Sequence, residues 1–437
     1  MKRDFFEEIE GASREVLTRF QEDKLRAQVQ HAYANSPFYR LKFDEAKVKP
    51  EDIQTLQDLR KLPFTTKEEL RQDQAIKTPW GSFLSKPIED CLRVHFTSGT
   101  TGKPLLVCDT AEDWYGFYHS YARALYAFGV RKSDMVMAAF SYGPWIGFWS
   151  GFYAAQDIGA LILPSGGMST DQRIDALLTY PITVLGCTPS YALYLAEESK
   201  KKGIDLAKES KLRIIWHTGE PGASIPSTKK KIEEAFGAKC FDLPGLTEIA
   251  AWGYECEAQS GQVHVHEDYV YPEVLDVETG EPVGPGERGE LVFTSLYRTA
   301  MPLLRYRTRD IVVKATVPCP CGRTLLGLDH GVIGRLDDMK KIRGVIVYPS
   351  NIEQIIRKYK EVVEFFIHIR RVDGLDEIIV DIEPEVGYPS DLIEKIKEDM
   401  KIGLGIRVSI EVVKEGSLPR WDHKAKRFKD EREEVPF

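Results

Sequence analysis

The fold of this chain is most strongly constrained by a regular alternation of two kinds of segment between residues 93 and 245. Short apolar runs typical of buried strands occur at residues 135–140, 160–163, 182–185 and 212–216. Longer stretches with helical spacing separate them, at residues 111–129, 147–158, 170–179, 190–202 and 225–236. This alternation predicts a mainly parallel sheet that is covered by helices. Ligands bind such sheets beyond the carboxyl ends of the strands, where we expect the functional residues.

The rest of the chain divides into segments with different residue patterns. Residues 1–75 have the pattern of a helical lead-in, in which we find no candidate site residue, and residues 255–333 have the pattern of a β subdomain. Beyond Gly334 the pattern is that of a compact α+β unit. The predicted class is therefore α/β, with a large N-terminal domain over residues 1–334 and a small α+β C-terminal domain over residues 335–437.

Composition excludes several classes of protein. The formal net charge of −8 argues against nucleic-acid binding, which usually needs a basic surface. No apolar run reaches the roughly 18 residues of a membrane span, and the charged N-terminus lacks the apolar stretch of a signal peptide. The seven cysteines form an odd set in a large chain, which argues against a disulfide framework. We therefore expect a cytoplasmic protein with neither nucleic acid nor a membrane as partner.

A loop rich in glycine and hydroxyl groups follows the strand-like run at residues 92–96. It carries two glycines, four hydroxyl residues and one lysine, namely Thr97, Ser98, Gly99, Thr100, Thr101, Gly102 and Lys103. Glycines let backbone N–H groups point inward, hydroxyls donate to phosphate oxygens, and the ammonium neutralises charge. The loop can hold a polyphosphate, although it lacks the spacing of a Walker loop. The alternative is a turn with a solvated lysine.

Two further constellations carry potential chemistry. Residues 142–153 contain six aromatic side chains, together with glycines at every fourth position that would let another group approach one helix face. Such a helix is more often simply part of the core. Three thiols and one imidazole match a closed tetrahedral structural zinc site, formed by Cys256, His264, Cys319 and Cys321. His266 is an alternative ligand, and buried cysteines beside a surface histidine are the alternative interpretation.

The loop at residues 97–104 resembles the phosphate-binding loop of the adenylate-forming acyl-CoA synthetases. Between Ala32 and Asp430 the chain is similar to one branch of that superfamily, the phenylacetate–CoA ligases, whose N-terminal segment resembles residues 31–39 and 62–67. The resemblance implies ATP-dependent ligation of a carboxylic acid to coenzyme A through an acyl-adenylate, with an aryl or arylacetic acid such as phenylacetate as substrate. It also implies Mg²⁺ as cofactor, a homodimer, and a mobile C-terminal domain.

The resemblance assigns nucleotide-binding roles to three motifs. The adenine-contacting loop corresponds to Thr218, Gly219 and Glu220. In the next motif Thr247 would reach the phosphate and Glu248 would support Mg²⁺, which prefers carboxylate and phosphate oxygens. Pro244 stands there in place of the usual tyrosine, which puts adenine stacking in doubt. Asp310 would accept hydrogen bonds from both ribose hydroxyls.

The remaining roles concern the acid pocket and the C-terminal part of the chain. The pocket walls and rim correspond to Tyr142, Trp145, Phe148, Trp149, Gly166 and Gly167. Arg335 would contact the nucleotide, Asp337 would be the hinge for domain rotation, and Gly344 would line the thiol tunnel. Lys424 would contact the carboxylate and the α-phosphate, with Lys426 as the rival assignment because His423 replaces the usual glycine of this motif.

Two other functions stay open at this stage. A close relative of the resembled branch adenylates a deazaflavin coenzyme at a hydroxyl group, without a CoA step. From another class, the chain could be a non-catalytic nucleotide-binding module stabilised by zinc. The intact set of Lys103, Glu248, Asp310, Arg335 and Lys424 argues against that second alternative.

Overall fold

The computed structural model describes residues 4–97, 104–141, 143–144, 146–220, 222–258, 261–343, 345–372, 375–421 and 426–432. In this part of the chain no helix is both long and apolar enough to cross a bilayer. Short 3₁₀ helices connect the larger elements, at Glu8–Gly11, Pro50–Asp52, Leu56–Lys61, Ile88–Asp90 and Leu336–Asp338.

The lead-in is helical, as predicted. It contains α1 (Arg14–Asn35), α2 (Pro37–Ala46) and α3 (Lys67–Ile76). The hydroxyl of Ser13 caps α1 by accepting a hydrogen bond from the Val16 amide, which satisfies one of the free donors of the first turn. Leu25 and Val29 on α1 are fully buried and pack in one cluster with Leu296 and Leu304, so the lead-in lies against the body of the protein.

The central layer is a five-stranded parallel sheet in the order β4-β3-β5-β6-β7. A hairpin of β1 (Cys91–Phe96) and β2 (Leu106–Thr110) precedes the sheet. The strands of the sheet are β3 (Met135–Ala138), β4 (Leu161–Pro164), β5 (Val184–Cys187), β6 (Ile214–His217) and β7 (Lys239–Asp242). The helices before and between these strands are α4 (Ala111–Ala127), α5 (Ile146–Ile158), α6 (Thr170–Thr179), α7 (Pro189–Lys201), α8 (Leu206–Glu209) and α9 (Pro226–Phe236). The predicted parallel sheet is confirmed, and the ends of its four predicted strands lie within two residues of the observed ones. The fifth strand, β7, was not predicted.

Helices cover both faces of this sheet. Because successive strand residues point to opposite faces, Val136, Val184 and Ile214 enter one core with α4 and α5. Leu185 and Ile215 enter the other core, which α6, α7, α8 and α9 complete. Burial on both faces explains why the strands are continuous apolar runs rather than alternating ones.

The predicted β subdomain is a six-stranded antiparallel sheet in the order β10-β11-β15-β14-β13-β12. A short hairpin, β8 (Gly245–Leu246) and β9 (Ala250–Ala251), precedes it. The sheet consists of β10 (Gly253–Tyr254), β11 (Gln262–Val265), β12 (Val270–Leu275), β13 (Arg288–Ser295), β14 (Tyr306–Lys314) and β15 (Gly327–Arg335). With six strands it is larger than the parallel sheet, and its first and last strands extend two residues beyond the predicted limits.

The C-terminal residues form an α+β unit with a core of its own. Its elements are β16 (Lys340–Ile342), β17 (Val345–Val347), α10 (Pro349–Ile356), β18 (Val362–Val372), β19 (Leu375–Pro384), α11 (Leu392–Leu404), β20 (Ser409–Val412) and β21 (Phe428–Asp430). The four-stranded sheet β20-β19-β18-β21 packs Phe365 and Val380 against Ile352 of α10 and Ile396 of α11.

The C-terminal unit contacts α7 and α9 of the larger part. Arg420 donates to Glu197 of α7 at 2.9 Å and also to the buried Glu383 of its own unit at 3.1 Å. Lys360 pairs with Glu234 of α9 at 3.0 Å. These contacts between charged side chains are typical of a domain interface whose two sides can separate.

Candidate active site

Several predicted residues lie beyond the carboxyl ends of the parallel strands. Gly166 and Gly167 follow β4, and the loop of Thr218, Gly219 and Glu220 follows β6. The Ser165 hydroxyl donates to the carbonyl of Ala138 at 2.7 Å, which fixes the first of these loops to the end of β3. Gly219 adopts a φ of 94°, a left-handed conformation that favours glycine. The sheet thus presents both loops at one edge.

His217, at the end of β6, turns inward instead. It is fully buried, and its ring bonds to the carbonyl of Cys187 at 2.9 Å. Burial lowers the pKa of His217 to about 4, so the ring is neutral near pH 7. This residue supports the loop of Thr218 and offers no charge to a ligand.

Helix α5 lies against the same loop through its glycine face. A Cβ atom on Gly147 would lie 4.0 Å from Thr218, and one on Gly151 would lie 3.1 Å from the indole of Trp216. The group that approaches the glycine face is therefore strand β6 and the loop after it. Phe148 is buried in the main core, and Trp149 is half-buried with its indole N–H bonded to the carbonyl of Gly143 at 3.0 Å.

The phosphate-loop candidate begins beside the first turn of α5. The amide of Phe96 donates to the carbonyl of Pro144 at 3.1 Å. The amide of Thr97 donates to the Leu105 carbonyl, and the Thr97 hydroxyl accepts from the Leu105 amide, both at 3.1 Å. These bonds close the base of the loop. The remaining loop candidates and two of the pocket walls lie outside the described residues, namely Ser98, Gly99, Thr100, Thr101, Gly102, Lys103, Tyr142 and Trp145.

Glu248 is a buried carboxylate held between two donors. Lys67 pairs with its Oε1 at 2.7 Å, and the Tyr306 hydroxyl donates to the same oxygen at 3.1 Å. Burial alone would raise the pKa of Glu248, but the Lys67 ammonium and the hydrogen bonds outweigh it and hold the pKa below its usual range. The carboxylate is therefore charged at neutral pH. Thr247 beside it is half-buried, and its carbonyl accepts from Arg298 at 3.3 Å.

Lys67 is a further candidate site residue, which the sequence motifs did not identify. Thr65 joins the start of β14 by two backbone bonds, one from its amide to Arg305 and one from the Arg307 amide to its carbonyl. This bridge brings Lys67, the first residue of α3, to Glu248. The only signal in the sequence was that segment 62–67 is similar to the N-terminal segment of the resembled branch.

A second buried carboxylate is that of Asp310, on the strand β14 that also carries Tyr306. Asp310 forms an ion pair with Arg335, its register partner on β15. The other branch of the Arg335 guanidinium bonds to Asp337 at 3.1 Å, and Arg309 donates to the same carboxylate at 3.1 Å. Burial would lower the pKa of Arg335, but Asp310 and Asp337 outweigh it and raise it. Two nucleotide-binding candidates, Asp310 and Arg335, therefore form one charged network with the hinge candidate Asp337. Gly344 lies outside the described residues.

Arg427 belongs to the C-terminal motif that contains Lys424, and it contacts the region of the loop after β6. Lys424 lies outside the described residues, whereas its rival Lys426 is described and exposed. Arg427 pairs with Glu364 at 2.7 Å and donates to the Ser190 hydroxyl at 3.0 Å. The Ser190 amide in turn donates to Glu220 of the adenine-loop candidate at 2.8 Å. A single serine therefore links the C-terminal motif to the loop after β6.

The four predicted metal ligands come together in the antiparallel sheet. Cys256 and Cys319 lie 3.6 Å apart at their sulfurs, Cys321 lies 3.4 Å from Nε2 of His264, and the ligand atoms of all four are within 4.8 Å of one another. Hydrogen bonds from Cys256 and Cys319 hold the pKa of Cys321 well below its usual range. Three sulfurs and one imidazole nitrogen, mostly buried, fit a tetrahedral ion. His266 lies apart, with its ring 4.5 Å from that of Tyr254.

Comparison with known families covers most of the chain. The sequence pattern of the family described as AMP-binding enzyme matches residues 9–299. The pattern described as AMP-binding enzyme C-terminal domain matches residues 344–432.

Individual relatives agree in length as well as in sequence. A phenylacetate-coenzyme A ligase of Thermus thermophilus is 36% identical, over 94% of this chain and 96% of its own. Among solved structures, a 2-hydroxyisobutyryl-CoA ligase in the postadenylation state, in complex with its acyl-AMP, is 30% identical with a TM-score of 0.91, over 97% of this chain and 91% of its own. The same ligase with CoA in the thioesterification state gives 0.73 at the same identity and coverage.

Proposed function

The chain belongs to the AMP-binding enzymes and, within them, to the branch of the phenylacetate–coenzyme A ligases, and we propose that its acid substrate is an aryl or arylacetic acid such as phenylacetate. The enzyme is an AMP-forming ligase, which joins a carboxylic acid to coenzyme A through an acyl-adenylate. The observation that carries the proposed site is the charged, buried Glu248, held by Lys67 and Tyr306 beside the strand that carries Asp310.

In the first half-reaction a carboxylate oxygen attacks the α-phosphorus of ATP, a new O–P bond forms, and pyrophosphate leaves as the α–β bridge breaks. The reaction needs no protein nucleophile; it needs positioning and charge neutralisation. Lys103 and Lys67 neutralise the outer phosphates, and Lys424 contacts the reacting carboxylate and the α-phosphate. Thr247 reaches the phosphate through its hydroxyl.

The nucleotide end is held by polar groups on separate elements. The loop of Thr218, Gly219 and Glu220 contacts the adenine, and Asp310 accepts from the ribose hydroxyls. Arg335, already paired with Asp310, reaches the nucleotide from β15.

Glu248 also fits the role of a magnesium ligand, because it is a charged carboxylate and Mg²⁺ prefers carboxylate and phosphate oxygens. The ion, when bound with ATP, offsets phosphate charge. Lys67 shares the Glu248 carboxylate in the described structure. We therefore expect Lys67 to turn from Glu248 towards the phosphates when the nucleotide binds.

The acid pocket is proposed to lie between α5 and the loops at the carboxyl edge of the sheet. Gly166 and Gly167 present no side chains there, and a Cβ atom on Gly167 would meet no atom within 4 Å. The half-buried indole of Trp149, with the aromatic residues Tyr142 and Trp145, suits a flat apolar acyl group, whereas Phe148 is buried in the main core.

The second half-reaction is attack of the CoA thiol on the acyl carbon, which breaks the acyl–phosphate bond and releases AMP. We propose that a rotation of the C-terminal domain at Asp337 removes Lys424 and brings in a thiol tunnel at Gly344. Similarity to the postadenylation state of a related ligase, at a TM-score of 0.91 against 0.73 for its thioesterification state, supports an adenylation-type arrangement here. Rotation must then separate Asp337 from Arg309 and Arg335.

We also propose a structural Zn²⁺ bound by Cys256, His264, Cys319 and Cys321. Four protein ligands leave no open position, so the ion would hold β11 to the connection between β14 and β15. None of the seven cysteines forms a disulfide bond, and we propose a reducing compartment such as the cytoplasm. The family resemblance implies a homodimer, which sedimentation velocity tests.

The substrate proposal is tested by AMP formation with a panel of carboxylic acids in the presence of ATP and CoA. The panel contains phenylacetate, benzoate, 2-hydroxyisobutyrate and butyrate, each with and without CoA. We expect the largest kcat/KM for an aromatic acid. A preference for 2-hydroxyisobutyrate or butyrate would contradict the aromatic pocket, and AMP transfer to a deazaflavin without CoA would replace the substrate assignment altogether.

A further inference from the structure

Arg93 is a half-buried arginine on strand β1, shortly before the phosphate-loop candidate begins at Thr97. In the part of the chain that the structure describes, no carboxylate forms an ion pair with it. Asp109, its register partner on β2, pairs with Arg298 instead. A cation that is partly withdrawn from water loses hydration, so contacts of another kind must stabilise Arg93 in this position.

Those contacts are made by aromatic rings. The guanidinium carbon of Arg93 lies 4.4 Å from the ring centroid of Trp114 on α4. It also lies 4.8 Å from the centroid of Tyr153 and 5.5 Å from that of Trp149, both on α5. One Nη atom donates to the Tyr153 hydroxyl at 2.7 Å. Because a cation within about 6 Å of a ring centroid is attracted by the electron-rich face, these three rings are the partners of Arg93.

Two of the three rings form a fixed base for the guanidinium. Trp114 is buried in the main core, and its ring meets that of Tyr153 edge-on with 5.5 Å between the centroids. The third ring, that of Trp149, lies about one helical turn nearer to the start of α5. Trp149 is also the one of the three that we propose as a wall of the acid pocket.

The indole of Trp149 is held at two points. Its N–H donates to the carbonyl of Gly143 at 3.0 Å, and the guanidinium of Arg93 lies over its ring. The χ2 torsion of an aromatic side chain has a broad energy profile, so one hydrogen bond leaves the ring free to tilt. Contact with Arg93 restricts that tilt, and the tilt of this ring decides how closely it can lie against a flat acyl group.

The phosphate-loop candidate is held independently of the Arg93 side chain. Backbone pairing joins β1 to β2 from Val94 to Phe96, and the bonds between Thr97 and Leu105 close the base of the loop. None of these bonds uses the guanidinium. Loss of the Arg93 side chain should therefore affect the wall of the acid pocket and leave the phosphate loop in place.

We propose that Arg93 is a positioning residue for the acid pocket, which holds the indole of Trp149 at the angle that an aromatic acid requires. This inference rests on the proposed function, because it needs Trp149 as a pocket wall. Trp149 is the residue that contacts the acid, and Arg93 acts through it. Selectivity for the acid then depends on a residue of β1 that touches neither the acid nor the nucleotide.

The test is ATP–pyrophosphate exchange with phenylacetate in wild type and in Arg93→Met, which keeps a long side chain without the charge. We expect the KM for phenylacetate to rise about 5- to 10-fold, as for the loss of one cation–π contact, and the KM for ATP and kcat to change less than about twofold. Arg93→Lys keeps a cation and should lie between. The preference for phenylacetate over butyrate should fall in Arg93→Met, because butyrate has no ring to lie against the indole.

Arg131→Met is the matched control. The guanidinium of Arg131 lies 3.7 Å from the ring centroid of Tyr126 and pairs with Asp4 at 2.8 Å, and it makes no contact with the candidate site. This substitution removes a cation–π contact of the same kind, so it should leave the KM for phenylacetate at the wild-type value. An equal rise in the two variants would overturn the inference, since it would reflect a general loss of stability.

A double-mutant cycle with Trp149→Phe tests whether Arg93 acts through the indole. If it does, Arg93→Met should change the KM for phenylacetate less than about twofold in the Trp149→Phe background. Independent effects of the two substitutions, which multiply in the double variant, would overturn the inference. An unchanged KM and an unchanged preference in Arg93→Met alone would also overturn it.

Tyr153→Phe provides a milder variant that decides the question if Arg93→Met does not fold. It removes only the hydroxyl that accepts from Arg93, and the KM for phenylacetate should rise about threefold, as for the loss of one hydrogen bond. An unchanged KM in Tyr153→Phe would contradict the positioning role. Absence of acid-dependent exchange in wild type would instead count against the proposed function itself.

Discussion

At the scale of single residues, the environment of Glu248 decides what the candidate site can do. A carboxylate this deeply buried would ordinarily take up a proton, since burial disfavours the charged form. The ammonium of Lys67 reverses that preference at a distance of 2.7 Å. The same charged carboxylate is the one that we propose as a magnesium ligand.

Replacing Lys67 by methionine should therefore change both rate and pH dependence. Without the ammonium the pKa of Glu248 rises, so the acidic limb of the ATP–pyrophosphate exchange profile should move to higher pH. We expect the exchange rate at pH 7 to fall roughly 10- to 100-fold, as for the loss of one charge-stabilising group. Lys61→Met, at an exposed lysine paired with Asp58, is the control. An unchanged profile in Lys67→Met would exclude Lys67 from the site.

Asp242, at the end of β7, should make the protein less stable as pH rises. Burial and the nearby Glu255 raise its pKa to about 8 from the ordinary 3.8. Between about pH 4 and pH 8 the folded chain keeps a proton that the unfolded chain releases, so the free energy of unfolding falls as pH increases through this window. Asp242→Asn cannot ionise, and its melting temperature should gain on wild type from pH 5 to pH 9. Asp90→Asn, at an exposed position, should show no such gain; parallel curves for wild type and Asp242→Asn would contradict the assignment.

Sequence could predict some of these residues and not others. Glu248 and Asp310 stand in motifs with fixed local spacing, which a resemblance can identify. Lys67 reaches Glu248 only because Thr65 bridges to β14, a contact between distant parts of the chain that no local pattern reports. The buried state of Phe148 depends likewise on the packing of α5 against the sheet.

At the scale of elements, close contacts between Trp216 and two glycines hold β6 against its neighbours β5 and α5. The indole of Trp216 on β6 lies across Gly186 of β5 and against Gly151 of α5. The four-residue glycine spacing of α5 predicted a close approach, and the group that approaches is this indole together with Thr218. Sequence predicted the strands because each is a buried apolar run. It could not predict which side chain fills the glycine face, since that depends on the order of strands in the sheet.

Gly186→Ala should destabilise the sheet strongly. A Cβ atom at this position would lie 2.0 Å from the Trp216 ring, so the indole or the strand must move. We expect a loss of about 1–3 kcal/mol in the free energy of unfolding, measured by urea denaturation. Gly167→Ala is the matched control, because its Cβ would meet no atom within 4 Å. Equal midpoints for the two variants would show that the Trp216 contact is not tight.

The cysteine–histidine cluster joins elements of the antiparallel sheet. Loss of one of its four ligand side chains should therefore unfold this sheet before the rest of the protein. Elemental analysis should find about one zinc per chain in wild type and much less in Cys256→Ser, whose melting temperature should fall. Cys91→Ser, at a free cysteine outside the cluster, should keep both zinc and stability. A metal-free wild type with an unchanged melting temperature after chelation would contradict the zinc site.

At the scale of the whole molecule, the two parts meet through charged contacts that a rotation can break. Arg420 with Glu197 and Lys360 with Glu234 hold the C-terminal unit to α7 and α9. Sequence predicted the separate α+β unit because its core is self-contained, but orientation depends on contacts across the interface and has no local signature. In this arrangement Arg427 touches Ser190 beside the adenine-loop candidate. We expect that contact to be lost when the thiol tunnel forms.

The most direct test of the two-step account is ATP–pyrophosphate exchange with phenylacetate, run first without CoA and then with it. The account predicts exchange that requires the acid and not CoA, followed by release of AMP and accumulation of the thioester only after CoA is added. Exchange that requires CoA would contradict a separate adenylation step. AMP formation that transfers to a hydroxyl acceptor, with no thioester, would contradict the ligase.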